Sequence, residues 1–298
     1  MYKKKIVIPD TVRTALDSMT LLNRFLFNET VEDSQTYNDM IEILLENTVH
    51  LIPWSETEKE LRISPELREI RLDVISMDEA GKIYQMEMQQ KNTYNLPRRS
   101  RYYQAQIDVS LLEPGSIDFN KLNDLTTILV APFDFFGYGL YRYTFEEQCQ
   151  EVPELKLNDG AKRIFINTSG KNTENFSKEF LDFMKYIVKP SDDIVRESGS
   201  EKIQRIHERV CMIKRSEKIG VKLMQQWEEM YYEKKQAREE GWAEGLAEGR
   251  AEGRAKGHAE GQLQLLKELV RDGMLPPSEA AKRLRMSLEE FELQLNKD

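Results

Sequence analysis

Three residues with oxygen-bearing side chains, Asp73, Glu87 and Gln89, fall where two paired strands would bring them together. Ile70, Leu72 and Val74 alternate with Glu69, Arg71 and Asp73; from Ile83 to Gln90, Tyr84, Met86 and Met88 alternate with Gln85, Glu87 and Gln89. Period-two runs of this kind predict strands, and Asp78-Glu79-Ala80-Gly81 between them supplies turn residues. In a hairpin of even register, residues of like parity share a face, so Asp73, Glu87 and Gln89 project together. Two converging carboxylates repel each other, which raises a proton affinity or recruits a cation, and hard oxygen ligands suit Mg²⁺, with Mn²⁺ as a substitute. A metal held this way can activate water and stabilise charge on a phosphoryl oxygen, the chemistry of phosphodiester hydrolysis. The competing reading is structural, because two acids on the polar side of a hairpin also fit a solvated surface.

Several elements must position these residues. Pro9 to Glu46 has helical spacing and predicts two helices divided around Asp33 to Thr36. Arg98 to Leu112 predicts a helix with Tyr102, Ala105, Ile107 and Val109 facing inward, stopped by Glu113-Pro114-Gly115. Thr126 to Ala131, Tyr141 to Phe145 and Arg163 to Asn167 read as further strands, and the aromatics and glycines of Phe133 to Tyr143 as packing around tight turns. Strands flanked by helices follow, ending near Gly170, and from Phe176 onward the pattern is helical.

In the tail, Gly241, Gly245, Gly249, Gly253, Gly257 and Gly261 recur every four residues. In a helix each costs about 1 kcal/mol relative to alanine, so the repeat is either a solvated spacer or a small-residue surface for pairing between chains. Beyond it, Leu263 to Arg271, Ser278 to Arg285 and a capping box at Ser287 and Glu290 predict three short helices spaced like a helix-turn-helix. The would-be reading helix carries Glu289, Glu290 and Glu292, which phosphate repels, so docking or oligomerisation is the reading adopted there.

Composition bounds the possibilities. The 298 residues hold 43 Lys and Arg against 52 Asp and Glu, net -9, unlike a basic nucleic-acid coat. Any phosphate contact must come from a local patch, for which Arg98, Arg99 and Arg101 with Tyr102 and Tyr103 are the candidates. Two cysteines and three histidines exclude a disulfide scaffold and fit a reducing compartment. The most apolar stretch, Leu125 to Tyr141, contains Pro132 and Asp134 and is shorter than the roughly 20 residues a spanning helix needs, so a cytoplasmic protein without membrane contact is expected.

Arg71-Leu72-Asp73-Val74 with Ile83-Tyr84-Gln85-Met86-Glu87-Met88-Gln89 resembles the PD-(D/E)XK nuclease family transposases, a group that includes the recombination-promoting nucleases. Thr20 to Phe27, Arg98 to Gln104, Leu112 to Gly115, Ala131 to Gly137, Leu140 to Phe145 and Ile166 to Thr168 are similar to further blocks of that family, and the glycine-repeat tail is usual there. The resemblance spans about residues 15 to 262. It implies an α/β fold with a restriction-endonuclease-like core, a mixed sheet flanked by helices, followed by a long helical C-terminal extension. It also implies Mg²⁺-dependent cleavage of DNA, with Asp73 and Glu87 as metal-binding acids and the Met88 carbonyl as a third ligand. Gln89 stands where the broader superfamily has lysine; glutamine donates hydrogen bonds to water but brings no charge, which Lys91 could supply if the strand extends that far. Glu42 and Glu46 are candidates for a further acid.

The domain organisation expected is a nuclease-like core at 1–172, a helical extension at 173–236, the repeat as helix or linker at 237–262 and a small helical module at 263–298. The leading functional reading is a metal-dependent DNA endonuclease of transposase or recombination-promoting type, assembled as a homo-oligomer through its C-terminal helices. The alternative is a nuclease-like interaction protein with weak or no catalysis.

Overall fold

The computed structural model describes residues 8–52, 75–112, 115 and 117–297. Asp73, the predicted strand from Glu69 to Val74 and the Glu113-Pro114 stop lie outside the described residues. Two compact units divide the chain, Met1–Met224 and Gln225–Asp298.

The first unit opens with three helices where two were expected: α1 (Asp10–Ser18), α2 (Arg24–Val31) and α3 (Ser34–Leu45). The extra break lies at Asn23, whose side chain accepts from the Phe25 and Leu26 backbone N–H groups at 3.0 and 3.3 Å and so starts a new helix. Asp33 caps α3 in the same manner, accepting from the Thr36 N–H at 2.8 Å.

Strands β1 (Ile75–Met77) and β2 (Ile83–Met88) form an antiparallel pair around the turn at Asp78 to Gly81. Gly81 sits at φ 82°, where a side chain would be strained, and Asp78 Oδ1 accepts from the Ala80 and Lys82 N–H groups. Ile75 stands opposite Gln85 and Met77 opposite Ile83, so the register is even, as the parity argument requires. Helix α4 (Leu96–Leu111) crosses from β2 to β3 (Leu125–Ala131), which pairs parallel to β2. β4 (Arg142–Phe145) and β5 (Ala161–Asn167) complete a five-stranded mixed sheet of order β1-β2-β3-β5-β4.

The sheet is covered on both faces. Tyr84, Met86, Met88, Ile128, Val130, Ile164 and Ile166 point into the main core with α2, α3 and the helices α5 (Lys178–Val188) and α7 (Glu201–Arg215). These helices were expected to begin an extension after residue 172, yet Phe180, Phe183, Ile206 and Val210 share one apolar cluster with the sheet. Between them lies α6 (Asp192–Ser198). Ion pairs fasten α7 to the opening helices: Arg205 Nε and Nη2 each lie 2.8 Å from the buried Asp39 carboxylate. The other sheet face carries Ile83, Leu125, Leu129, Tyr143 and Phe165 and is covered by α4 and the 133–140 loop.

Helix α8 (Glu217–Arg271) is continuous over 55 residues and includes the whole glycine repeat. In the second unit, Gly273 (φ 73°) ends α8, and α9 (Pro277–Arg283) and α10 (Leu288–Leu295) fold back to bury Ala280, Ala281 and Phe291 with Leu266. The Ser287–Glu290 capping box forms as expected. Among the described residues, no helix is long and apolar enough to cross a membrane.

Candidate active site

Strand β2 is buried along its whole length, yet from Tyr84 onward only alternate residues are apolar. Gln85 and Glu87 point away from the main core, and Gln89 continues their direction just past the strand, its N–H donating to the Val130 carbonyl at 2.8 Å. Glu87 is 6% exposed and Gln89 9%. A carboxylate so enclosed requires polar partners. One oxygen, Oε1, has two: the Gln89 amide Nε2, in a short hydrogen bond, and the Arg99 guanidinium Nη2 at 2.9 Å.

Arg99 reaches Glu87 because α4 is pinned at both ends. Leu96 inserts among Leu129, Tyr143 and Phe165, and Ile107 packs on Ile83 and Leu125. Between these anchors α4 runs antiparallel to β2: Arg99 lies at the level of Glu87 and Ile107 at that of Ile83. The Arg99 guanidinium sits 5.7 Å from the Tyr103 ring centre, one turn along, which steadies it further.

The helix therefore turns a largely polar stripe toward the sheet, which corrects its expected inward face. Of the four residues expected inside, only Ile107 is buried; Ala105, Tyr102 and Val109 are exposed, the last two at 42% and 71%. Ser100 and Gln106 are buried instead. An apolar pattern could not reveal this face, because it covers the polar residues of β2 and β3. Gln85, its register partner Thr127 and Gln106 are all buried there, and their side-chain polar atoms have no hydrogen-bond partner among the described residues.

The remaining candidate residues separate. Arg98, Arg101 and Tyr102 are exposed on α4, whereas Arg99 and Tyr103 are turned partly inward. The Met88 side chain packs in the main core. Lys91 does not join Glu87: β2 ends at Met88, and Lys91 is exposed in the bend beyond it. Glu42 on α3 and Glu46, which caps the C-terminus of that helix, are on the Met86 side of the sheet, and both are occupied there. Burial raises the Glu42 carboxyl, but the Val49 N–H and Lys202 lower it further, leaving it below its ordinary value. Glu46 accepts from the Ser177 N–H at 2.8 Å and pairs with Arg142 at 3.5 Å. The 133–140 loop packs as expected, with Phe135 and Phe136 against Phe165, while Asp134 accepts from the Phe136 and Gly139 N–H groups and the Tyr143 hydroxyl. Burial raises the Asp134 carboxyl, but these donors outweigh it and hold it below the carboxylate range.

Among the described residues, no group of three His, Cys, Asp or Glu side chains is arranged to hold a metal ion. The Arg99–Glu87 pair was not foreseen as a pair; the signal for it is the Arg99/Tyr103 spacing of four, which puts both on one helical face.

A family model described as PD-(D/E)XK nuclease family transposase matches residues 22–239. Comparison with curated proteins and with solved structures found no match.

Proposed function

Because the chain belongs to the PD-(D/E)XK nuclease family of transposases, we propose that it is a divalent-metal-dependent DNA endonuclease whose reaction centre lies at Glu87. The observation that supports this most is the buried Glu87 carboxylate, held on one oxygen by Gln89 and Arg99 at the end of a strand in a mixed sheet. A hard divalent cation fits such a donor set: Glu87 offers a carboxylate, and Asp73 is the second acid of the proposal, with the Met88 carbonyl as a third oxygen. In the even β1–β2 register Ile75 is answered by Gln85; Asp73 and Glu87 are each two residues further out in sequence.

Bound there, Mg²⁺ or Mn²⁺ would activate water and neutralise charge on a phosphoryl oxygen. The chain's own residues have distinct parts. Gln89 can orient a water through its amide, and Arg99 brings the positive charge that Gln89 lacks and holds the Glu87 carboxylate in place. The exposed Arg98, Arg101 and Tyr102 are the residues proposed to grip the DNA backbone.

The test is nicking of plasmid DNA by the purified protein with Mg²⁺ or Mn²⁺, alongside Asp73→Ala and Glu87→Ala. Metal-dependent nicking that both variants lose supports the proposal; no cleavage with either metal, or variants that cut like the parent, overturns it. Mn²⁺ should also raise the melting temperature of the parent through ligand linkage, a response that the interaction-protein alternative lacks.

We further propose that residues 237–262 pair with a second copy of this chain. The six glycines of the repeat leave open space around them among the described residues, and Trp242 is 72% exposed nearby. Light scattering that returns the same monomer mass with and without this segment would refute it.

A further inference from the structure

The sheet face that carries Glu87 also carries an open cavity. Strand register lays two rows across this face: Glu87 stands beside Leu129, Leu129 beside Phe165 and Phe165 beside Tyr143, while Gln85 leads through Thr127 and Arg163 to Phe145. Helix α4 covers the β2 and β3 end of these rows. At the other end, Phe136, Phe145, Phe165 and Arg163 line a cavity of about 260 Å³, walled on one side by Pro97 and Ser100 of α4. Phe165 is two strands away from Glu87, roughly 10 Å at the usual strand spacing.

The lining combines ring surface with one donor–acceptor pair. The Phe136 and Phe145 rings lie 5.2 and 5.6 Å from that of Phe165, and Phe145 remains 43% exposed. Beside them, Arg163 and Glu147 are 3.7 Å apart, the first offering N–H donors and the second a carboxylate acceptor. Glu146, also on the wall, is already occupied by Lys156 at 2.7 Å and Lys162 at 2.9 Å. A nucleobase matches such a lining, since it has a face that stacks on aromatic side chains and an edge that mixes donors with acceptors. The volume lies below that of pockets for drug-sized ligands, so it has room for one base and not for a folded segment.

The first turn of α4 separates Glu87 from this cavity. Asn95 gives that turn no side-chain cap, which leaves its N–H groups to an outside acceptor, and a phosphate suits a helix N-terminus. Arg98 and Arg101 are exposed along the same stretch. A DNA strand crossing there has its backbone on positive charge, with Glu87 on one side and the phenylalanines on the other.

Resting on the DNA reading above, we propose that this cavity receives an unpaired base of the substrate, from a nucleotide beside the bond that is cut. A paired base reaches such a cavity only by leaving the stack, which costs least where it is mismatched or already unpaired. The preferred substrate class is therefore DNA with an unpaired nucleotide, and not continuous duplex.

The test is binding of the full chain to labelled DNA, followed by fluorescence anisotropy at one fixed salt concentration and without divalent metal, so that the readout does not depend on cleavage. Fully paired duplex is compared with duplex carrying one bulged nucleotide and with the same bulge lacking its base. The bulged duplex should bind on the order of tenfold tighter than the abasic one, as stacking of one base on an aromatic side chain gives. Phe145→Ala should remove that difference and Arg163→Gln should reduce it. Equal binding of bulged and abasic duplexes by the parent protein, a comparison that needs no variant, overturns the proposal; so does a difference unmoved in whichever variant folds. Either result leaves the nuclease reading standing, because nicking is scored separately, whereas failure to bind any of these duplexes sinks both.

Discussion

Beyond Ile83, the two sides of β2 are both buried and chemically opposite. Tyr84, Met86 and Met88 meet an apolar layer of helices, whereas Gln85, Glu87 and, past the strand end, Gln89 meet Arg99 and a helix face that includes Gln106. Burying the first set is favourable in itself. Burying the second is costly unless every polar group is partnered, and Gln85, Thr127 and Gln106 have polar atoms with no partner among the described residues. A chain selected only for stability would fill both sides with aliphatic residues, and on the function proposed above the polar side is where stability is given up for chemistry.

This contrast can be broken in four ways. The largest effect should come from Glu87→Ala, which we expect to lower metal-dependent nicking on the order of 10³-fold, about 4 kcal/mol in the barrier, while a folded circular dichroism spectrum persists. If nicking survives, the polar side is structural. On the other side, Met86→Ala should cost about 2–5 kcal/mol of stability in urea unfolding, because a fully buried side chain leaves a cavity. A loss below about 1 kcal/mol would mean that the apolar layer collapses around the gap. Arg99→Leu should reduce nicking by about 10–100-fold, as loss of a residue that orients a ligand does, and lower Mn²⁺-induced stabilisation with it. Activity unchanged in that variant would return Arg99 to a purely structural pairing. The smallest shift is expected from Gln85→Met, which removes two buried polar atoms without partners and should raise stability by about 1 kcal/mol. A fall in melting temperature would instead show that water satisfies the amide.

The same contrast explains how far sequence reasoning reached. The alternation of β2, the turn at Asp78 to Gly81, three further strands and the capping box at Ser287 were all legible, because each is set by residues a few positions apart. The polar side of α4 was not. Its inward face was sought among Tyr102, Ala105 and Val109, but a helix covering a polar site buries residues that an apolar search passes over. The break before α2 was missed for a related reason: apolar spacing continues through it, while Met19 is extended and the Asn23 cap on Phe25 and Leu26 starts a new helix. Likewise, α5 to α7 read as an extension because their apolar stripes do not say which surface they cover.

By itself the sequence determined which residues of β2 share a face, since side-chain period in a strand follows from backbone sterics alone. It also carried the resemblance on which the site proposed from Asp73 to Gln89 rests. Tertiary structure decided which cation meets Glu87. Lys91 is nearer in sequence but lies beyond the strand end, whereas Arg99 arrives from the crossover helix because Leu96 and Ile107 fix where that helix rests. Contact between layers depends on where two elements are anchored, and that information is spread over residues whose spacing carries no local period.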